Sequence, residues 1–301
     1  MTTLIVFTGP TAVGKTALTI RLAQHYGIDI INADSRQIYR ELKIGTASPT
    51  EEQLRMVPHH FVGSKSITDY YNASMYEQDV LKLLKDSRSD ISLLSGGSMM
   101  YIDAVCNGID DIPTIRDDIR EMMKMRLKTE GLDSLCDELQ QLDPEHYDIV
   151  DRKNYRRVIH ALEICHQTGR TYTSFRTNQK KARPFNIIKI GLNREREELY
   201  NRINARANAM IESGLVEEVN SLGAYKNENA LNTVGYKEIF AYLDGKWTLE
   251  EAVERMKGNT RRYARKQLTW FKRDPQIRWF HPNETQQIIN YINEEVHRYH
   301  F

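Results

Sequence analysis

Apolar residues along this chain follow two patterns. In the stretches 4–8 (LIVFT), 28–34 (IDIINAD), 90–97 (DISLLSGG) and 186–193 (NIIKIGLN) they crowd together in short runs. Runs of this kind belong to strands buried on both faces of a parallel sheet. From Lys15 the apolar residues instead recur at helical spacing, at Leu18, Leu22 and Ala23, and helical stretches precede the second and third runs. Strands that alternate with helices predict an α/β fold with a parallel sheet. Between the third and fourth runs, residues 112–181 carry helical patterns and turn signals at Gly131, Asp143-Pro144 and Gly169, but no strand pattern. We therefore expect a mainly helical insertion domain at 112–181, within a discontinuous core of 1–111 and 182–301 whose C-terminal part is helical. No internal repeat or low-complexity tract interrupts this order.

Composition narrows the class without fixing it. With 40% hydrophobic and 28% charged residues over 301 positions, the chain has the make-up of an ordinary soluble globular protein. No apolar run reaches the roughly 18 to 20 residues of a membrane span, and the N-terminus leads straight into the first strand, so a cytoplasmic protein with no membrane partner is expected. Cys106, Cys136 and Cys165 lie far apart and form no C-x-x-C pair, which signals neither a disulfide framework nor a zinc site. The adjacent His59 and His60 lack a third metal ligand at recognisable spacing.

The net charge of +1 conceals two basic tracts. Residues 257–273 (KGNTRRYARKQLTWFKR) hold Lys257, Arg261, Arg262, Arg265, Lys266, Lys272 and Arg273 without an acid, and 151–160 (DRKNYRRVIH) sets Arg152, Lys153, Arg156 and Arg157 against a single Asp. Either tract alone reads equally well as a solvated helix face. Interleaved with Tyr155, Tyr263, Trp270 and Phe271, the pair suits a polyanion, because cations neutralise phosphates and aromatic faces stack on bases.

The first strand runs into GPTAVGKT, in which Gly9, Pro10, Thr11, Ala12, Val13, Gly14, Lys15 and Thr16 fill the G-x-x-x-x-G-K-[ST] template of a phosphate loop. Backbone amides of such a loop wrap a phosphate, the lysine adds charge, the hydroxyl faces Mg²⁺, and the following helix N-terminus favours the anion. In parallel sheets the ligand lies beyond the carboxyl ends of the strands. Asp34 follows the second strand and Ser98 the third, both at that rim. Asp34 reads as a general base or an indirect Mg²⁺ partner, with a turn cap as the structural alternative. The third strand ends in Ser-Gly-Gly where many P-loop ATPases carry a Mg²⁺-binding Asp, which argues against a motor or switch. Two classes remain: phosphoryl transfer from a nucleotide, or a reaction in which a cradled diphosphate leaves.

The motifs GPTAVGKT, NADSRQIYRELKIGTASP, VPHHFV, SGGSMMYIDAV, NYRRVIHALEI, YNRINARANAMIESGLVEEV, TVGYKEI and RRYARKQLTWFKRD follow one another between residue 4 and about 280. In this order they resemble the bacterial tRNA dimethylallyltransferase (tRNA isopentenyltransferase) family. The resemblance implies a P-loop NTPase-like core with a helical insertion that contacts tRNA. It implies transfer of a dimethylallyl group from dimethylallyl diphosphate to the exocyclic amino group of the adenosine 3′ of the anticodon (position 37 of the tRNA), with release of diphosphate. Residues 9–16 then hold diphosphate with Mg²⁺ near Thr16, and Arg206 joins them, with Arg202 one turn away as the alternative. Asp34 becomes the base; Ser35, Arg36 and Gln37 become tRNA contacts; Ser98 stands where the family usually has threonine, keeping the hydroxyl and losing a methyl. The adenosine must flip into the protein to meet a buried allyl carbon. Arg156, Arg157 and His160 on one helix face, and Arg261, Arg262, Arg265 and Lys266 on another helix, are the expected tRNA-binding groups of a monomer. The alternatives are a P-loop kinase of nucleotides or small molecules and, less favoured because Lys15, Thr16 and Asp34 are intact, an RNA-binding protein with a vestigial loop.

Overall fold

The computed structural model describes residues 2–87, 89–177 and 179–300. Its strands β1 (Thr3–Thr8), β2 (Ile30–Ala33), β3 (His59–His60), β4 (Ile91–Gly96), β5 (Asn186–Leu192) and β6 (Arg278–Phe280) form one sheet in the order β3-β2-β4-β1-β5-β6. Every pairing is parallel. The four apolar runs are the four inner strands. The edge strands lie outside that pattern, since β3 is a pair of histidines and β6 has three residues.

Burial on both faces explains the unbroken apolar run of β1. Leu4 and Val6 join the core that holds Tyr76, Leu94 and Met256, while Ile5 and Phe7 join the one that holds Leu18, Leu93 and Ile288. Each such fully buried side chain contributes about 1.5–3 kcal/mol. The helices that cover the sheet are α1 (Lys15–Tyr26), α2 (Glu51–Met56), α3 (Ala73–Asp86) and α4 (Met99–Asn107) before the insertion. The insertion holds α5 (Asp117–Leu142), α6 (Pro144–Ile149) and α7 (Tyr155–Thr168). After β5 come α8 (Arg196–Glu212), α9 (Leu215–Ser221), α10 (Tyr236–Leu243), α11 (Leu249–Phe271) and α12 (Thr285–His300). Among the described residues, no helix is long and apolar enough to cross a membrane.

The chain divides into two compact units, Met1–Asn107 with Ala182–Phe301, and Gly108–Lys181. The second has its own core, built from Met123, Leu135, Leu139, Val158 and Leu162, and no strand among its described residues. Its α5 bends at Gly131, whose φ of 83° only glycine adopts freely. The buried Asp143 caps α6, accepting from His146 N at 3.1 Å, and also accepts from Thr173 N at 2.8 Å and Thr173 Oγ1 at 2.7 Å.

Candidate active site

In the first unit, β1 leads to β2 on one side and β4 leads to β5 on the other, so the sheet changes direction at the β4–β1 pair. The crevice at such a point is where α/β proteins bind ligands, and residues 9–16 lie at its mouth. Gly9 has φ +142°, and a Cβ there would sit 2.5 Å from Leu192 O, so both conformation and space demand glycine. Gly14, at φ 107°, turns the chain into α1. Lys15 Nζ donates to Gly9 O and Pro10 O, each at 2.8 Å, and folds the loop around itself.

Three side chains from distant sequence hold the loop from outside. Gln267 of α11 accepts from Thr11 N at 2.9 Å through Oε1 and donates to Gly97 O at 2.8 Å through Nε2, tying the loop to the end of β4. Arg202 of α8 donates to Ala12 O at 2.8 Å, and Arg194 donates to Val13 O at 2.8 Å. None of these anchors follows from the phosphate-loop template. A signal for Gln267 does exist: it is a polar residue at helical spacing with the buried Ala264 and Phe271. Burial drives the Lys15 ammonium down to about 7; Asp34 opposes this shift and Arg206 adds to it. In the ligand-free fold, Lys15 is held by the two carbonyls, and burial favours loss of its proton.

At the rim, Asp34 Oδ1 accepts from Arg36 N at 2.9 Å and Gln37 N at 3.3 Å. The carboxylate therefore does cap the turn of Ser35, Arg36 and Gln37, and it also lines both clefts described below. Capping and cleft-facing roles coexist in one side chain. Ser98 Oγ accepts from Ser35 N at 2.8 Å and donates to Ser35 Oγ at 3.1 Å, while Ser98 N donates to Ala33 O at 3.1 Å. The close approach of β4 to β2 that permits this requires Gly96, since a Cβ there would run into the Ala33 carbonyl.

Two clefts meet at these residues. The first, about 250 Å³, is lined by residues 11–17 of the loop together with Asp34, Arg202 and Arg206. The second, about 340 Å³, adds apolar walls from Ile203, Ala207, Met210 and Met256 beside Asp34 and Ser98. Thr11, Asp34, Thr46, Arg206 and Tyr263 line both. Arg202 donates to the Ala12 carbonyl through Nε, whereas the half-buried Arg206 makes no hydrogen bond among the described residues. Burial and Arg202 lower the Arg206 pKa, and Asp34 counters them.

The basic tract of α11 does not form a single surface. Arg261 donates to Asn204 Oδ1 at 2.6 Å and Arg265 to Tyr200 OH at 2.9 Å, so both lean on α8. Arg262 and Lys266 are exposed one strip further round the helix, between that contact and the cleft-facing Tyr263, at about 100° per residue. Arg262 also donates to Asn259 Oδ1 at 2.8 Å. In the second unit, Arg156, Arg157 and His160 of α7 fall within about 100° of its circumference. Arg156 Nε donates to Tyr155 OH at 3.2 Å, and His160 Nδ1 lies 3.5 Å from Glu163 Oε2. His59 and His60 point to different partners, Val57 O and Asp29 Oδ2.

A phosphate loop at the switch point, a carboxylate on the facing strand end and an apolar-walled cleft continuous with both define a P-loop group-transfer enzyme. The chain belongs to the IPP transferase family, whose sequence model matches residues 37–274. It is similar to tRNA dimethylallyltransferase 1 of Bacteroides fragilis (strain YCH46), at 58% identity over 296 residues covering 98% of each chain. Among solved structures, it resembles the full-length tRNA isopentenylpyrophosphate transferase of Bacillus halodurans, with a TM-score of 0.72 and 34% identity over 99% of this chain and 98% of that one. A eukaryotic dimethylallyltransferase solved acting on tRNA superposes with a TM-score of 0.84 at 25% identity, over 99% of this chain and 80% of that one.

Proposed function

We propose that the protein transfers a dimethylallyl group from dimethylallyl diphosphate to the exocyclic amino group of the adenosine 3′ of a tRNA anticodon. The observation that carries this reading is the continuity of the loop cleft with the apolar-walled cleft through Asp34 and Arg206. With its phosphates against the loop, an allyl diphosphate extends its carbons towards Ile203, Met210 and Met256 and keeps its reacting carbon near Asp34.

The reaction breaks the allylic C–O bond, whose electron pair leaves on diphosphate. The amino nitrogen forms the new N–C bond and passes a proton to Asp34, whose Oδ2 accepts no hydrogen bond among the described residues. A delocalised amino group is a weak nucleophile, so a base that accepts the proton during attack matters. Lys15, Arg206 and the loop amides stabilise the charge that grows on the leaving group; losing one such preorganised donor typically costs about 10² to 10³ in rate. Ser98 holds the turn that carries Asp34. The adenosine enters by leaving its stack, with Ser35, Arg36 and Gln37 at the rim to receive it. Arg156, Arg157 and His160 of the insertion, and Arg262 and Lys266 of α11, attract the tRNA backbone; Arg261 and Arg265 do so while bound to α8.

Magnesium fits this site. Among the described residues the Thr16 hydroxyl has no hydrogen-bond partner and Thr16 lines the loop cleft, while no group of three His, Cys, Asp or Glu side chains is arranged for a metal. One hydroxyl, substrate phosphates and water match the preferences of Mg²⁺. With the Thr16 hydroxyl holding it, such an ion would supply charge neutralisation for the departing diphosphate. In this reading the enzyme works as a monomer in the cytoplasm.

Mass spectrometry of nucleosides after incubating purified protein with Mg²⁺, dimethylallyl diphosphate and unmodified tRNA tests the proposal. A prenylated adenosine is the expected product, without tRNA-stimulated ATP cleavage. Phosphoryl transfer from ATP with no prenylated adenosine would establish the kinase reading instead.

A further inference from the structure

We infer that Glu218 of α9 is a positioning residue for the acceptor side of the reaction, its carboxylate fixing the loop that braces the turn of Asp34; the inference rests on the function proposed above. Glu218 Oε2 accepts from Lys43 N at 3.1 Å and Ile44 N at 2.8 Å, and Oε1 accepts from Gly45 N at 3.0 Å and Tyr236 OH at 2.6 Å. Three consecutive backbone amides thus converge on one carboxylate, the geometry of an anion nest. The fourth donor comes from α10 and is fully buried. Burial and Glu218 both push the Tyr236 phenol upwards, so it remains a donor throughout the working pH range. Gly45 lies flat on that ring, where a Cβ would meet it at 2.5 Å.

The restrained loop then closes on itself. Thr46 Oγ1 donates to Leu42 O at 2.6 Å, Ala47 N to Ile44 O at 2.9 Å and Ser48 N to Lys43 O at 2.9 Å. This directs two carbonyls, Thr46 O and Ala47 O, at the Gln37 side-chain amide, which donates to them at 3.0 and 3.1 Å. Gln37 N in turn donates to Asp34 Oδ1 at 3.3 Å. An unbroken series of contacts therefore runs from Glu218, through residues 43–47 and Gln37, to the carboxylate in the clefts. Thr46 itself lines both clefts. The phosphate loop has separate anchors in Gln267, Arg194 and Arg202 and does not depend on Glu218.

A double-mutant cycle in the full-length protein tests the inference, using Glu218→Gln, Gln37→Ala and the pair, with melting curves to confirm folding. Glutamine places an NH₂ against amide donors and breaks the nest, so kcat for dimethylallyl transfer should fall about 10- to 100-fold while diphosphate affinity stays within about twofold. In the Gln37→Ala background, Glu218→Gln should cost less than about twofold more, because both act through one path. Tyr236→Phe, which keeps the ring on Gly45, should lower kcat in the same direction by about threefold and lose that effect in the same background. If Glu218→Gln does not fold, the Tyr236→Phe cycle decides. Multiplicative losses in the cycle, or a folded Glu218→Gln protein with unchanged kcat, would overturn the inference alone. A wild-type protein that transfers no dimethylallyl group would overturn the proposed function as well.

Discussion

Ser98 and Ser35 are joined twice, through Ser35 N to Ser98 Oγ at 2.8 Å and through their hydroxyls at 3.1 Å. A residue after β4 thereby fixes the backbone of the residue next to Asp34. Ser98→Ala leaves Ser35 N without its acceptor and should cost about 1–3 kcal/mol of stability, with a lower kcat. Ser98→Thr keeps the oxygen and should retain activity. Thermal melts paired with single-turnover rates check both, and equal rates for the alanine and wild-type proteins would remove Ser98 from the machinery.

Asp34→Asn separates capping from base chemistry. Asparagine accepts from Arg36 N and Gln37 N as aspartate does, so the turn and the melting temperature should change little. It cannot take the proton, and kcat should fall by at least about a hundredfold, with tRNA affinity held within a few fold. An unchanged kcat would reduce Asp34 to a cap.

Lys15 should make both stability and binding depend on pH, with opposite consequences. Burial lowers its pKa from 10.5 to about 7 in the ligand-free fold. Below pH of about 7 the lysine is charged in both folded and unfolded chains, and its full desolvation cost opposes folding; as pH rises towards 10.5 the folded chain releases its proton first and the cost fades. Lys15→Met should therefore stabilise the ligand-free protein, most strongly below pH of about 7. Diphosphate holds the lysine charged, so above that pH its binding takes up a proton and weakens, by up to about tenfold per pH unit from this group. Calorimetry near pH of about 8 in buffers of different ionisation enthalpy should show an uptake, approaching about one proton, that Lys15→Met lacks.

The two strips of α11 should differ in tRNA binding. Arg262→Gln with Lys266→Gln should raise the KM for tRNA and flatten the log–log salt dependence by about 0.7–0.9 per lost phosphate contact, with diphosphate affinity unchanged. Arg261→Gln with Arg265→Gln should also release the contacts with Asn204 and Tyr200, giving a lower melting temperature beside any loss of affinity. Neutralising Arg156 and Arg157 in the insertion should give a separate loss of tRNA affinity. Salt slopes unaltered in all three variants would leave recognition to Ser35, Arg36 and Gln37.

What the sequence discloses depends on whether a role is local. The run 4–8, the glycines of the loop and the carboxylate after β2 announce themselves because strand burial, positive φ and strand-end placement act within a few residues. The two-residue β3 is invisible because its pairing with Ile30 and Ile31 is set by the neighbouring strand, not by its own histidines. The division of the α11 tract into two strips is likewise settled by Asn204 and Tyr200 on another helix. Gln267 shows along the chain only as a polar residue on a buried helix face; its role, like that of Glu218, is hidden because Thr11 N lies 256 residues away and the amides of residues 43–45 lie 173 to 175 residues away.

The carbonyl-held lysine of the phosphate loop also bears on the rhythm of turnover. Cleavage of the allylic C–O bond leaves diphosphate with one more charged oxygen than the ester it came from, so the cradle around Lys15 should hold the spent product at least as firmly as fresh substrate. Emptying the cradle, more than forming the new bond, is then expected to set the pace. Rapid mixing should reveal a burst of prenylated tRNA in the first cycle followed by slower turnover, and added diphosphate should compete with the prenyl donor and not with the tRNA.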